Sequence, residues 1–282
     1  MSVTMRAIGG IDHCIILVRD LAAARIGWEA LGFRTAPIGR HPDHMGTANH
    51  TIMLADTYLE LLGVLAETEA NARWRAALAR REGVVAVAMR ALDAEAAHAA
   101  VAGRGAAPEA VRHWGRAVQI AGGGAGEARF GTFQVRDEVT PGLRLFFCHH
   151  LTPQTTWAPG LTEHPNTAVG IERFDVVVDD PAGAAAATAR LLGLAAEGAT
   201  VRTTAGCFSF ASAAELAARL DGAVAPAMLP ERGIAGIAIR VRSLDLARAA
   251  VEAGGIRPAV LPEAVIVPPG AANGVVVTFI RA

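Results

Sequence analysis

Short apolar runs alternate with Ala-rich stretches of helical spacing, and the alternation occurs four times along the chain. Ile11–Val18 is a strand-like apolar run. Asp20 and the helical segment Leu21–Leu31 follow, and Gly32-Phe33 stands where that helix would stop. The same order returns at Val84–Met89, Asp93 and Gly105, at Ile171–Val178, Asp180-Pro181 and Gly193, and at Ile234–Val241, Ser243-Leu244 and Gly255. From first strand residue to stop glycine the separation is 21 residues in the first, second and fourth occurrences and 22 in the third. Asp, Ser or Pro near each helix start suits an N-cap or first-turn position.

Each opening is followed by enough chain for about three further strands. In the first unit these are Arg34–Ile38, Thr47–Leu54 and Tyr58–Gly63, rich in β-branched and aromatic residues and broken by Pro, Gly and Asp. The unit reads βαβββ. A doubly wound α/β domain also alternates strand and helix, but three extended segments after each helix do not suit it. The expected class is therefore α+β, with four βαβββ modules in two pseudo-symmetric halves built on curved mixed sheets. Leu151–Thr167, with Pro153, Pro159 and Pro165, reads as an extended linker. The expected organisation is an N-terminal half over 1–150, a linker over 151–167 and a C-terminal half over 168–282.

Composition narrows the partners. A chain of 282 residues that is 52% hydrophobic can bury a large core. Its 26 basic and 27 acidic residues nearly cancel and are scattered, so nothing resembles the footprint of a nucleic-acid binder. No apolar run approaches the roughly 20 residues that cross a bilayer, and no export signal is visible. Cys14, Cys148 and Cys207 are widely spaced and odd in number, which argues against a disulfide framework and a thiolate zinc site. A cytoplasmic protein with a small-molecule partner, and with neither nucleic acid nor membrane, is expected. A homodimer is compatible with this, although tandem modules mean that a second chain need not complete the cup.

Ile11-Asp12-His13, Asp20-Leu21, Leu31-Gly32-Phe33, Gly39-Arg40-His41-Pro42, Gly46-Thr47-Ala48-Asn49 and Tyr58-Leu59-Glu60-Leu61 resemble the glyoxalase-like branch of the vicinal-oxygen-chelate superfamily, which includes glyoxalases, bleomycin-resistance proteins and extradiol dioxygenases. Phe146-Phe147-Cys148-His149-His150-Leu151-Thr152-Pro153 and Trp157 resemble it too. The resemblance implies a divalent-metal site in a cup-shaped sheet, with a His from a first strand and a Glu from a last strand; His13 and Glu60 match those positions. Imidazole and carboxylate suit zinc, nickel, manganese or iron(II). A carboxylate between Leu59 and Leu61 is costly unless paired or coordinated.

A third ligand is expected at His150, if Cys148 is the counterpart of Glu60 and strand alternation turns His150 to the same side. A one-residue slip would turn His149 inward instead. His41, His44 and His50, with Asn49, form a second cluster able to ligate metal, orient a substrate oxygen or act as a base. Glu60 and His41 are the candidate catalytic groups, and Asn49, His50 and Trp114 the candidate substrate contacts. Arg112, His113, Trp114 and Arg116 form a cleft wall with an anion contact or a solvated edge. The glycine-rich stretch 122–126 reads as a hairpin connection, because no nucleotide fingerprint surrounds it. Ala86, Arg173 and Gly236 stand where the other units would repeat His13, so the full glyoxalase I ligand set is absent. Three functions remain open: a metal-dependent lyase or isomerase acting on a small oxygenated substrate, a metal-free binding or sequestering protein, and an extradiol-type dioxygenase.

Overall fold

The computed structural model describes residues 7–120, 124–157 and 160–282, so residues 122 and 123 of the expected glycine-rich connection lie outside the described residues. The first half contains β1 (Ile8–Val18), α1 (Leu21–Ala30), β2 (Gly39–Arg40), β3 (Thr47–Met53), β4 (Tyr58–Val64), α2 (Ala72–Arg80), β5 (Gly83–Ala91), α3 (Ala94–Ala102), β6 (Arg112–Ile120), β7 (Gly124–Gln134) and β8 (Leu145–His150). The second contains β9 (Ala168–Val177), α4 (Pro181–Leu192), β10 (Ala196–Glu197), β11 (Thr200–Arg202), β12 (Cys207–Ala211), α5 (Ala213–Arg219), β13 (Gly233–Val241), α6 (Leu244–Ala253), β14 (Ala259–Leu261), β15 (Ala264–Val267) and β16 (Val276–Arg281).

The repeat is built by local chemistry that the four units share. Asp20, Asp93, Asp180 and Ser243 each accept a backbone N–H in the first turn of the helix that follows. Gly32, Gly105, Gly193 and Gly255, beyond the four helix ends, all have positive φ, between 68° and 84°. Two sheets of eight strands result, in the orders β2-β3-β4-β1-β5-β8-β7-β6 and β10-β11-β12-β9-β13-β16-β15-β14. In both, the first strands of two successive units pair antiparallel at the centre, while each pairs parallel with the last strand of its own unit.

One stretch departs from the expected strands. Only Gly39–Arg40 pairs as β2, whereas 34–38 runs beside β3 with an Ala36 N–H bonded to Thr51 O at 2.7 Å. Pro37 has no N–H to offer a ladder at that point. The edges β2 and β6 of the first sheet come together: a Cβ on Gly39 would stand 2.5 Å from Arg116 Nη1, which makes this sheet an almost closed cup.

The outer faces of both sheets share one core that includes Trp28, Phe133, Phe147, Phe174, Phe208 and Phe279. The inner faces differ. Leu216, Ala217 and Leu220 pack with Val177, Ala235, Ile266 and Val276 across the second sheet. In the first, α2 covers only one end, where Trp74, Ala77 and Leu78 meet Ile15, Leu17, Leu62 and Ala86. The other end is left to polar side chains.

The segment after β8 is pinned rather than extended freely. His164 Nδ1 accepts from Arg34 N–H at 2.9 Å, and its Nε2 donates to Met53 O at 2.8 Å. Asn166 donates to Leu31 O at 3.0 Å. Among the described residues no helix is long and apolar enough to cross a membrane.

Candidate functional site

A slip of register places two consecutive polar residues on one face. Against β5, Ile11 pairs with Met89 and His13 with Ala88, so Asp12 is the extra residue of a bulge. Alternation would have hidden Asp12; the bulge turns both Asp12 and His13 into the cup. Asp12 is fully buried and accepts from three donors. Its Oδ1 lies 2.7 Å from His13 Nδ1 and 2.9 Å from His150 Nε2, and its Oδ2 takes Arg90 Nε at 2.8 Å. Burial alone would raise the Asp12 carboxyl, but the hydrogen bonds and charge of His13 and His150 hold it well below the ordinary carboxylate range.

His13 is fixed from three sides. Tyr58 stacks on its ring at 4.3 Å and 12°, and Phe146 meets it edge-on at 5.4 Å. Donation from Nδ1 to Asp12 leaves Nε2 of the neutral imidazole with a free lone pair. That atom faces Glu60 Oε2 at 3.8 Å. On the other side of Glu60, His41 Nε2 stands 3.7 Å from Oε1, with His41 Nδ1 held by Thr47 Oγ1 at 2.8 Å. Asn49 Nδ2 donates to Glu60 Oε1 at 2.7 Å. The site is nearly dry: the His13, Glu60 and His41 side chains are 5%, 8% and 9% exposed. Burial pushes the His41 imidazolium down; Glu60 opposes this and Arg116 adds to it.

His13 therefore belongs to two groups. Through Nδ1 it joins Asp12 and His150, whose donor atoms lie within 4.8 Å of one another. Through Nε2 it joins Glu60, His41 and Asn49. The first group already has its charge balanced by Arg90. The second holds a buried carboxylate whose Oε2 has no hydrogen bond among the described residues.

The sequence matches the glyoxalase-like domain family over residues 11–192. The chain belongs to that family. It is thereby a vicinal-oxygen-chelate protein, and solved structures share its fold. It is similar to a hypothetical protein from Staphylococcus aureus, with a TM-score of 0.68 and 11% identity over 97% of this chain and 99% of that one. It is also similar to a mutant of 4-hydroxymandelate synthase from Streptomyces coelicolor, with a TM-score of 0.62 and 11% identity over 98% of this chain and 93% of that one. No curated protein sequence matches it.

In this glyoxalase-like chain, His13, Glu60, His41 and Asn49 come together, and Trp114 closes beside them with its ring edge 5.8 Å from that of His41. His150 faces the cup and His149 takes the alternate position on β8, but Asp12 stands between His150 and the Glu60 group. His50 is not brought in: it pairs with Leu61 on the outward register of β3 and β4, and its Nδ1 lies 2.8 Å from Ala36 O. Cys14 is buried in the apolar core and Cys148 in the apolar wall beside Phe130, and burial first, then the nearby carboxylates, push both thiols well up.

Asp12 and Arg90 are the cup side chains that the candidate site read from the sequence leaves out, although Asp12 stands in the Ile11-Asp12-His13 motif. A carboxylate in the apolar run Ile11–Val18 was the available signal. A cavity of about 400 Å³ opens onto Arg90, His150 and Trp157. A larger groove, about 790 Å³, lies between the halves around Trp74 and is lined by none of Asp12, His13, His41, Glu60 and His150.

Proposed function

We propose that the N-terminal cup is a divalent-metal site of a lyase or isomerase acting on a small oxygenated substrate. The observation that carries this reading is Glu60: a buried carboxylate with an imidazole Nε2 at 3.8 Å from one oxygen and another at 3.7 Å from the other. These separations are too long for hydrogen bonds. Two donors each about 2.1 Å from a shared ion stand roughly 3 to 4 Å apart, so each imidazole and its Glu60 oxygen are spaced as a pair of ligands. Closing all three side chains on one ion requires them to move, since only Asp12, His13 and His150 place three donor atoms within 4.8 Å of one another among the described residues. His13, Glu60 and His41 would hold it. Asp12 on His13 Nδ1 and Asn49 on Glu60 are the outer partners that fix ligand orientation in metal sites. When bound, zinc, nickel, manganese or iron(II) would polarise two neighbouring substrate oxygens.

The chain's own residues supply the remainder. Tyr58, Phe146 and Trp114 exclude water, and Asn49 fixes one oxygen of Glu60. Glu60 Oε2, the oxygen without a hydrogen bond among the described residues, would take up and return a substrate proton where it is not itself a ligand, a role that requires the carboxylate form and hydrogen-bond reach of the reacting carbon.

Elemental analysis of purified full-length protein tests the reading. Near-stoichiometric metal in wild type, lost in His13→Ala and Glu60→Ala, supports it. Absence of metal from wild type even after reconstitution with each of the four ions overturns it. His150→Ala separates the two groups: it retains the metal if His150 serves Asp12, and loses it if His150 is a ligand.

A second reading, a metal-free sequestering protein, is favoured by the completeness of the Asp12, His13, His150 and Arg90 network without any ion. Ligand affinity that survives a chelator would select it. Two imidazoles and one carboxylate also suit iron(II) oxygen chemistry. Oxygen consumption with a catechol would select that third reading.

A further inference from the structure

Arg116 lies on β6 in register with Ala128, beside the Trp114–Phe130 pair that lines the cup, so alternation turns its side chain inward. It reaches the seam where β2 and β6 approach. The Cβ position of Gly39 would be 2.5 Å from Arg116 Nη1 and 2.6 Å from Asn49 Oδ1, so guanidinium and amide converge on one spot that only a glycine leaves open. Asn49 in turn holds Glu60. Arg116 is half-buried, yet it makes no hydrogen bond or ion pair among the described residues. Arg90, the other guanidinium at the cup, is taken up by Asp12 and by Asp56 O.

A half-buried guanidinium without a carboxylate partner, one amide away from the proposed reaction centre, is a binding group awaiting an anion. We propose that Arg116 anchors a substrate carboxylate, so that the substrate is a small monocarboxylate bearing an oxygen on the carbon next to its carboxyl group. One guanidinium flanked by a neutral amide matches a single carboxylate in charge and in its planar two-oxygen geometry. A carboxylate held by Arg116 would lie one amide, that of Asn49, from Glu60, which would put its neighbouring oxygen on the side of the Glu60 group. The assignment deepens the reading of His13, Glu60 and His41 as a metal site and rests on it for the role of that second oxygen.

Titration calorimetry on the full-length protein reconstituted with each ion tests it, with lactate, pyruvate and phenylpyruvate as probes, each against its neutral methyl ester. At least one acid is expected to bind about 10- to 100-fold more tightly than its ester, the range of a charge-assisted contact. Arg116→Ala should abolish that preference with its metal content and circular dichroism unchanged, and Arg116→Lys should restore part of it. Equal binding of acid and ester, binding of none of the acids, or a preference that persists in Arg116→Ala overturns the proposal. Metal content is read on the same samples. A protein that takes up no ion but shows an Arg116-dependent preference retains the anchor and refutes the metal site; one that takes up the ion without the preference does the reverse.

Discussion

Asp12 joins three side chains from three strands, His13 of β1, His150 of β8 and Arg90 of β5, through one buried carboxylate. Replacing it by an isosteric amide leaves Arg90 without its counter-charge and sets an N–H donor against one of the three groups that now donate to the carboxylate. Breaking a buried pair from one side costs about 3–5 kcal/mol. Asp12→Asn is therefore expected to lower stability by about that much in urea unfolding near neutral pH. The pH dependence has a definite sign. The folded carboxyl titrates below its unfolded counterpart, so the contribution is fully present above the ordinary carboxylate pKa and is lost as pH falls below it. The gap between wild type and Asp12→Asn should narrow in acid; a gap that widens there refutes the assignment. His13, Glu60, His41 and Asn49 were legible because polar residues stand out in apolar strands. Asp12 and His50 were not, because one bulge and one strand face decide them, and neither leaves a mark in residue spacing.

The βα openings were legible at the level of the element because each carries its own punctuation. A capping Asp or Ser and a glycine with positive φ need only local hydrogen bonds and torsions, which sequence spacing reports directly. β2 was not legible, since Pro37 and the pairing of two residues with β3 reflect tertiary constraint. The stop glycines also separate two costs. Gly105 has φ of 84° and nothing within 4 Å of a built Cβ, so Gly105→Ala pays the left-handed backbone term alone, about 1–2 kcal/mol. Gly32 has φ of 80°, and its Cβ would stand 2.6 Å from that of Ala250 in α6. Gly32→Ala should cost more than Gly105→Ala in the same urea experiment, by the added displacement of α6. Equal costs would show that the α1–α6 contact yields without resistance.

The two halves unfold as one if their core is one. Trp28 and Phe33 from the first half pack with Phe279 from the second, and the segment after β8 is bonded to both. Its Pro-rich composition suggested a spacer, because composition records chain stiffness and not the carbonyls that a buried histidine will find. His164 is the fastener: it accepts from Arg34 and donates to Met53, so it must be the neutral Nε2–H tautomer. Burial first, with Arg34 adding to it and the Met53 carbonyl opposing, keeps its imidazolium below the ordinary value. The unfolded chain thus takes up this proton before the native state does, and stability falls as pH drops below about 6.5, the ordinary histidine value. His164→Gln should flatten that part of the wild-type curve of stability against pH. His164→Ala, which strands a buried N–H and a carbonyl, should cost about 1–3 kcal/mol. In both variants, tryptophan fluorescence and far-ultraviolet circular dichroism should still report a single coincident transition, because the shared aromatic core couples the sheets without the histidine. Two separated transitions in either variant would mean that His164, rather than the core, holds the halves together.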